Sequence, residues 1–251
     1  MRWRRRFRER DLDAAELDAI VDANVALAAG LDQPSRTRLV ELTRSVLDAV
    51  RWEFVGGLSP SNEARVTIAA NAAIPILALD IWVYRQVRAV IVRPTVAMLA
   101  GARAGPASGT MTDEPVSTSG VAMADSGPLA LSWDVALAES CRPSGGRNVI
   151  IHEFAHKIDM SDGYADGTPP LRGPALLRWT QMLTDEHDHV DAVSADAVLD
   201  PYAWTNPAEF FSVATEAFFC IPRRLADARP VLYDALRDFY KQDPASDRHR
   251  L

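Results

Sequence analysis

The chain is 251 residues long, 48% hydrophobic and 24% charged, a globular composition large enough to bury one sizeable core. Its formal net charge of −7 argues against a general nucleic-acid binder, a role that ordinarily shows a basic surface. Two cysteines, Cys141 and Cys220, are too few for a disulfide framework, so a buried, inert thiol is the expectation for each.

The first ten residues, MRWRRRFRER, hold six arginines. They read as a solvated arm, with a contact to a membrane surface or an acidic partner as the sharper alternative. The acidic, amphipathic DLDAAELDAI follows, so no apolar run makes a secretory signal. The expected location is therefore the cytoplasm, where thiols stay reduced.

Residues 11–29 read as an amphipathic helix that ends near Gly30. Residues 34–54 read as a second, with Leu39, Leu42, Val46, Leu47 and Val50 at helical spacing and Pro34 in its first turn. GGLSPSNE is a turn, and 62–80 reads as a third, Ala-rich helix. The apolar run AANAAIPILALDIWVY is interrupted by Pro75 and Asp80, which suits a core helix and no membrane span. RAVIVRP, 88–94, reads as a strand. Residues 101–128 are rich in Gly, Ala, Ser and Thr and read as a flexible loop. LALSWDVAL reads as a strand that turns at Ser-Trp-Asp. A buried helix over 148–160, a helix over 174–188, an acidic connection, a helix after Asn206 and a last one over 230–240 complete the chain.

The informative stretch is NVIIHEFAHKIDM, 148–160. His152 and His156 are i and i+4, which puts both imidazoles on one helix face within reach of one zinc ion. Glu153 stands beside that pair, where it can take a proton from a water activated by the ion and later pass it to a leaving amine. HExxH also occurs by chance. Here, though, the three polar groups lie on an otherwise apolar helix, and burying them is costly unless they are paired or hold a metal.

Catalytic zinc takes three protein ligands and keeps one open position. Three carboxylates compete for the third place. Asp162 lies six after His156, where metzincins put their ligand, but that arrangement needs Gly three after the second His and this chain has Asp159. Glu209 and Glu216 are seven apart, on one face of a later helix. With Asn206 as N-cap, Glu209 sits where a carboxylate can simply close a capping box. Glu216 can equally be an ion-paired residue on a partly buried helix. Asn148 is the expected cap of the histidine helix. Asp159 and Glu216 are the candidates to orient the ligand imidazoles. His187, His189 and His249 read as solvated surface, and Cys141 is too distant from the motif to be read as a ligand.

NVIIHEFAHKIDM, PYAWTNPAEFFSVATEAFF, DFYKQDP, WEFVGGL and RVTIAANAAI together resemble the Mlc titration factor A family of zinc peptidases, over about residues 34–244. The resemblance implies that Glu209, the Glu of Pro-Ala-Glu, is the third zinc ligand. It also implies that Tyr202, seven residues earlier, donates a hydrogen bond to the reaction's oxyanion, a spacing similar to the anthrax lethal factor catalytic domain. It implies aminopeptidase character on short peptides. It implies, alternatively, a regulatory protein that binds a transcriptional repressor and contacts no nucleic acid itself. The expected fold is α+β, predominantly helical and zincin-like, with a small β-sheet. The expected organisation is a basic arm and first helix, 1–30, then one peptidase domain, 31–251. That domain has helices over 31–85, the flexible loop 101–128 and the zinc-site half 130–251.

Overall fold

The computed structural model describes residues 12–95, 97–99, 103–104, 111–112, 116–118, 120–122, 127–188 and 198–246. Among the described residues the chain is mostly helical: α1 (Ala14–Asn24), α2 (Gln33–Ala49), α3 (Asn62–Ala73), α4 (Trp133–Cys141), α5 (Val149–Asp159), α6 (Pro174–Asp188), α7 (Pro207–Cys220), α8 (Pro222–Ala228) and α9 (Pro230–Tyr240). The strands are β1 (Arg51–Phe54), β2 (Ala89–Arg93), β3 (Ala97–Leu99), β4 (Arg103–Ala104), β5 (Met111–Thr112), β6 (Val116–Thr118), β7 (Gly120–Ala122) and β8 (Leu129–Ser132). The result is the expected α+β fold, predominantly helical with a small sheet.

The main sheet runs β1-β2-β8-β7. β1 pairs β2 in parallel with Trp52 opposite Val90, and β2 pairs β8 in parallel with Val92 opposite Leu131. β7 closes the edge antiparallel to β8, with Val121 opposite Ala130. Parallel neighbours require a crossover, and α3 supplies the one between β1 and β2. Every residue of β8 is buried, as a strand covered on both faces should be.

Several expected boundaries shift. The second helix stops at Ala49, because Arg51–Phe54 pair with β2; the expected helix to 54 yields to a strand whose ladder bonds lie across the sheet. The third helix stops at Ala73, just before Pro75, whose ring cannot continue an α-helix. The chain nonetheless stays buried as far as Ile76. LALS is the strand β8, but WDVALAESC is a helix where a turn was expected. Residues 101–128 are not wholly loop: β4 pairs β5, β6 pairs β3, and β7 joins the main sheet. The arginine-rich start, His189 and His249 lie outside the described residues. Cys220 is buried as expected, whereas Cys141 is exposed. No described helix is long and apolar enough to cross a membrane.

Helices α5 and α7 pack against each other in the centre. Val149, Ile150, Ile151, Phe154, Ala155 and Ile158 of α5 are all buried, as is every residue of α7 from Phe210 to Cys220. Burial of each large side chain contributes roughly 1.5–3 kcal/mol. An aromatic cluster extends this core: Phe218 stacks on Tyr240 with centroids 5.7 Å apart, and Trp179 meets Phe211 edge-on at 5.7 Å.

Both ends of α5 are tied down by polar groups. At the start, the Asn148 side chain accepts from the Ile151 N–H at 3.2 Å. Glu139 accepts from the Val149 N–H at 2.7 Å, and Glu216 from the Asn148 N–H at 2.7 Å. At the far end, Gln86 donates to the Met160 carbonyl and Arg85 to that of Ser161. These bonds satisfy backbone groups that a helix cannot pair internally.

Candidate metal centre

The i, i+4 spacing on α5 brings the His152 and His156 rings edge to face, with centroids 4.9 Å apart. α7 supplies the facing carboxylate. Asn206 caps it by accepting from the Glu209 N–H at 3.0 Å, and Pro207 occupies the first turn. The Glu209 side chain does not turn back to the cap. Its Oε2 lies 3.1 Å from His152 Nε2 and 3.3 Å from His156 Nε2. The ligand atoms of His152, His156 and Glu209 all fall within 4.8 Å of one another.

The other ring nitrogen of His152 is also engaged. Nδ1 sits 2.8 Å from Glu216 Oε2, and a proton donated there leaves Nε2 directed at the Glu209 carboxylate. Tyr202, in the short turn Pro201–Thr205, donates its hydroxyl to Glu209 Oε1 at 3.2 Å. Tyr202 is 52% exposed.

Burial and charge set the protonation of this cluster. Burial pushes His152 down, but the Glu216 and Glu209 carboxylates outweigh it and hold the imidazole well above its usual value. His156 is held low by burial, despite its contact with Glu209, which favours the neutral ring. Burial pushes Glu209 up, but the hydrogen bonds from both histidines prevail and leave it far below the carboxylate range. Glu153 behaves oppositely: burial raises it to about 7. Its Oε2 is buried with no hydrogen-bond partner among the described residues. Leaving such an atom unpaired costs about 1–3 kcal/mol, so a partner from outside the chain is the natural complement.

The other expected site residues fall elsewhere. Asp162 accepts from the Tyr164 N–H at 3.2 Å and belongs to an exposed turn. Asp159, expected to orient a ligand, instead accepts from the Gly167 N–H at 3.0 Å and secures the loop after α5. That loop packs tightly, because a Cβ on Gly167 would collide with the Pro207 carbonyl at the start of α7. Three residues carry roles that sequence reading missed. Glu139 and Gly167 offered no local signal. Lys157, fully buried and donating to the Gly127 carbonyl at 3.2 Å, reads in sequence as an ordinary surface lysine.

A family model described as glucose-regulated metallo-peptidase M90 matches residues 1–241. The chain belongs to the glucose-regulated metallo-peptidase M90 family. A Mlc titration factor A from Serratia proteamaculans is 30% identical over 233 residues, covering 90% of this chain and 87% of that protein. A Mlc titration factor A from Yersinia enterocolitica is 31% identical over 229 residues, covering 88% and 84%. An uncharacterised protein of Synechocystis is 33% identical over 230 residues, covering 90% and 83%.

Membership of the glucose-regulated metallo-peptidase M90 family implies a metal ion, and the residues present fit one. Two imidazole nitrogens and a carboxylate oxygen from two helices converge on one point, and the buried Glu153 Oε2 on the same helix as the histidines has no hydrogen-bond partner among the described residues. This is a donor set of the type that holds a catalytic divalent ion.

Proposed function

We propose that the chain is a zinc-dependent peptidase that hydrolyses short peptides with aminopeptidase character. The observation that carries this reading is the convergence of His152, His156 and Glu209, together with a buried Glu153 Oε2 that has no hydrogen-bond partner among the described residues. His152, His156 and Glu209 would hold the ion. Zinc at that point supplies a Lewis acid that polarises the scissile carbonyl and acidifies water. Glu153 takes the proton of the attacking water and returns it to the leaving amine, roles suited to a carboxyl whose pKa burial raises to about 7. Tyr202 turns its hydroxyl from Glu209 to the developing oxyanion. Aminopeptidase character is supported by the family resemblance alone.

Elemental analysis of the purified protein, with a peptide library in free and N-acetylated forms, tests this reading. Stoichiometric zinc is expected, with cleavage that a chelator abolishes and added zinc restores. Free amino termini should be required. A zinc-loaded chain that cleaves no member of the library sinks the proposal.

The name shared by the Serratia and Yersinia relatives, Mlc titration factor A, supports a second role, the capture of a transcriptional repressor. That role would use a surface and not the metal ligands. A His152→Ala variant should still retain a DNA-binding protein in a pull-down from its own cell lysate. Recovery of no such protein by either parent or variant rejects it.

A further inference from the structure

Asn71 lies in the last turn of α3, fully buried and far in sequence from the metal centre. Its amide nitrogen donates to the Thr67 carbonyl at 2.8 Å and to Ser140 Oγ at 2.7 Å. Ser140 in turn donates to the Asn24 carbonyl on α1. The Asn71 side chain is therefore held on one side by α3, α4 and α1. Its remaining atom, Oδ1, accepts from Asn148 Nδ2 at 2.9 Å.

That last bond decides which way the Asn148 amide faces. Asn148 must present its oxygen to the Ile151 N–H to cap α5, and its Nδ2 then needs a buried acceptor. Asn71 Oδ1 supplies it. The Asn148 backbone N–H donates to Glu216 Oε1, and Glu216 Oε2 meets His152 Nδ1. A relay of hydrogen bonds, joined through the Asn148 residue itself, thus runs from α3 to the imidazole. We propose that Asn71 is a positioning residue for the metal centre, acting through Asn148 and Glu216 to fix the orientation of the His152 ring. Removing its oxygen strands the Asn148 Nδ2, frees that amide to turn, and loosens both the start of α5 and the Glu216 carboxylate behind the ligand. Outer partners of this kind typically govern metal affinity by 10–100-fold.

The inference rests on the reading of His152 as a metal ligand. The experiment compares the full-length parent with Asn71→Leu, which removes the oxygen at similar volume. Thr43→Val serves as a control, since it deletes a buried hydroxyl that donates to the Leu39 carbonyl within α2. Zinc affinity is read by competition with a chromophoric chelator and corrected for the folded fraction by circular dichroism. The visible spectrum of the cobalt-substituted protein reports ligand geometry. Asn71→Leu should bind zinc about 10–100-fold more weakly and show an altered cobalt spectrum. Thr43→Val should stay close to the parent in both. Should Asn71→Leu fail to fold, Asn71→Ser replaces it under the same criterion. Equal affinity in parent and Asn71→Leu, or a loss that Thr43→Val matches, overturns the proposal. Metal binding by the parent tests the ligand assignment, and the difference between parent and variant tests Asn71. A parent that binds the ion but cleaves no peptide fails the peptidase reading alone.

Discussion

Glu153→Gln should lower kcat/KM for peptide hydrolysis by about 10²–10⁴-fold while zinc content stays unchanged. The substitution keeps the size and shape of the side chain and removes its capacity to take a proton. It also leaves His152, His156 and Glu209 untouched, so any loss of bound metal would contradict the separation of holding and reacting groups made above. Stability provides an independent check. Burial lifts the Glu153 pKa from its ordinary 4.5 to about 7, so the folded chain holds this proton more tightly than the unfolded one. Stability from that source is present below about pH 4.5 and declines as pH rises through 7. Glutamine is spared the decline, so with the metal removed from both, the variant should melt no lower than the parent at pH 8. Tyr202→Phe is the companion: the oxyanion role requires a fall in kcat of about 10²–10³-fold, with KM little changed. Variant rates equal to the parent's would remove either residue from the chemistry.

Gly167→Ala should lower both stability and metal affinity. Gly167 has φ +75°, and its added Cβ would meet the backbone of Pro207, which cannot swing aside as a flexible side chain can. The left-handed backbone costs roughly 1–2 kcal/mol and the overlap about 1–3 kcal/mol more. Melting should fall by roughly 5–15 °C in a domain of this size. Pro207 opens the helix that carries Glu209, so relief of the clash should move the carboxylate proposed to hold the ion. Zinc affinity should fall at least about tenfold, an effect of the size seen when ligand positioning is lost. Gly173→Ala is the control. Gly173 has φ +56° but open space around its Cα, so only the backbone strain applies and zinc binding should not change. Equal zinc affinity in Gly167→Ala and Gly173→Ala would show that the loop after α5 does not bear on Glu209.

Sequence reached the local determinants and missed the distant ones. His152, Glu153 and His156 were legible because three polar residues on an apolar helix demand a reason. Asn148 and Asn206 were legible as caps because capping is a short-range rule. Glu209 was open between ligand and capping box. Its backbone does occupy the capped position, and only the side-chain direction, fixed by where α5 lies, distinguishes the two. Asp159 misled because three residues along a helix suggests a shared face with His156. The carboxylate is taken instead by a glycine N–H eight residues later, a turn that no periodicity encodes. β1 was hidden because Trp52 and Phe54 continue a helical pattern as readily as they fill a strand. α4 was hidden behind a strand signal that ended five residues earlier than expected. Glu139 and Asn71 gave no cue at all, since each acts on a partner that only the folded chain brings near.

The bonds at the two ends of α5 set how much of the architecture depends on the ion. Carboxylates of Glu139 and Glu216 sit on its first N–H groups, and the Arg85 guanidinium sits beyond its last turn. Anions at the beginning and a cation at the end are the arrangement that the helix dipole favours. The segment bearing both histidines is therefore clamped by its own protein, and most of its remaining surface is packed in oil-like surroundings. Zinc fingers collapse when their ion is withdrawn, because nothing else organises them. In this chain, demetallation should silence the catalyst and spare the scaffold, so that dialysis against a chelator followed by exchange of one divalent ion for another becomes a practical route to remaking the site.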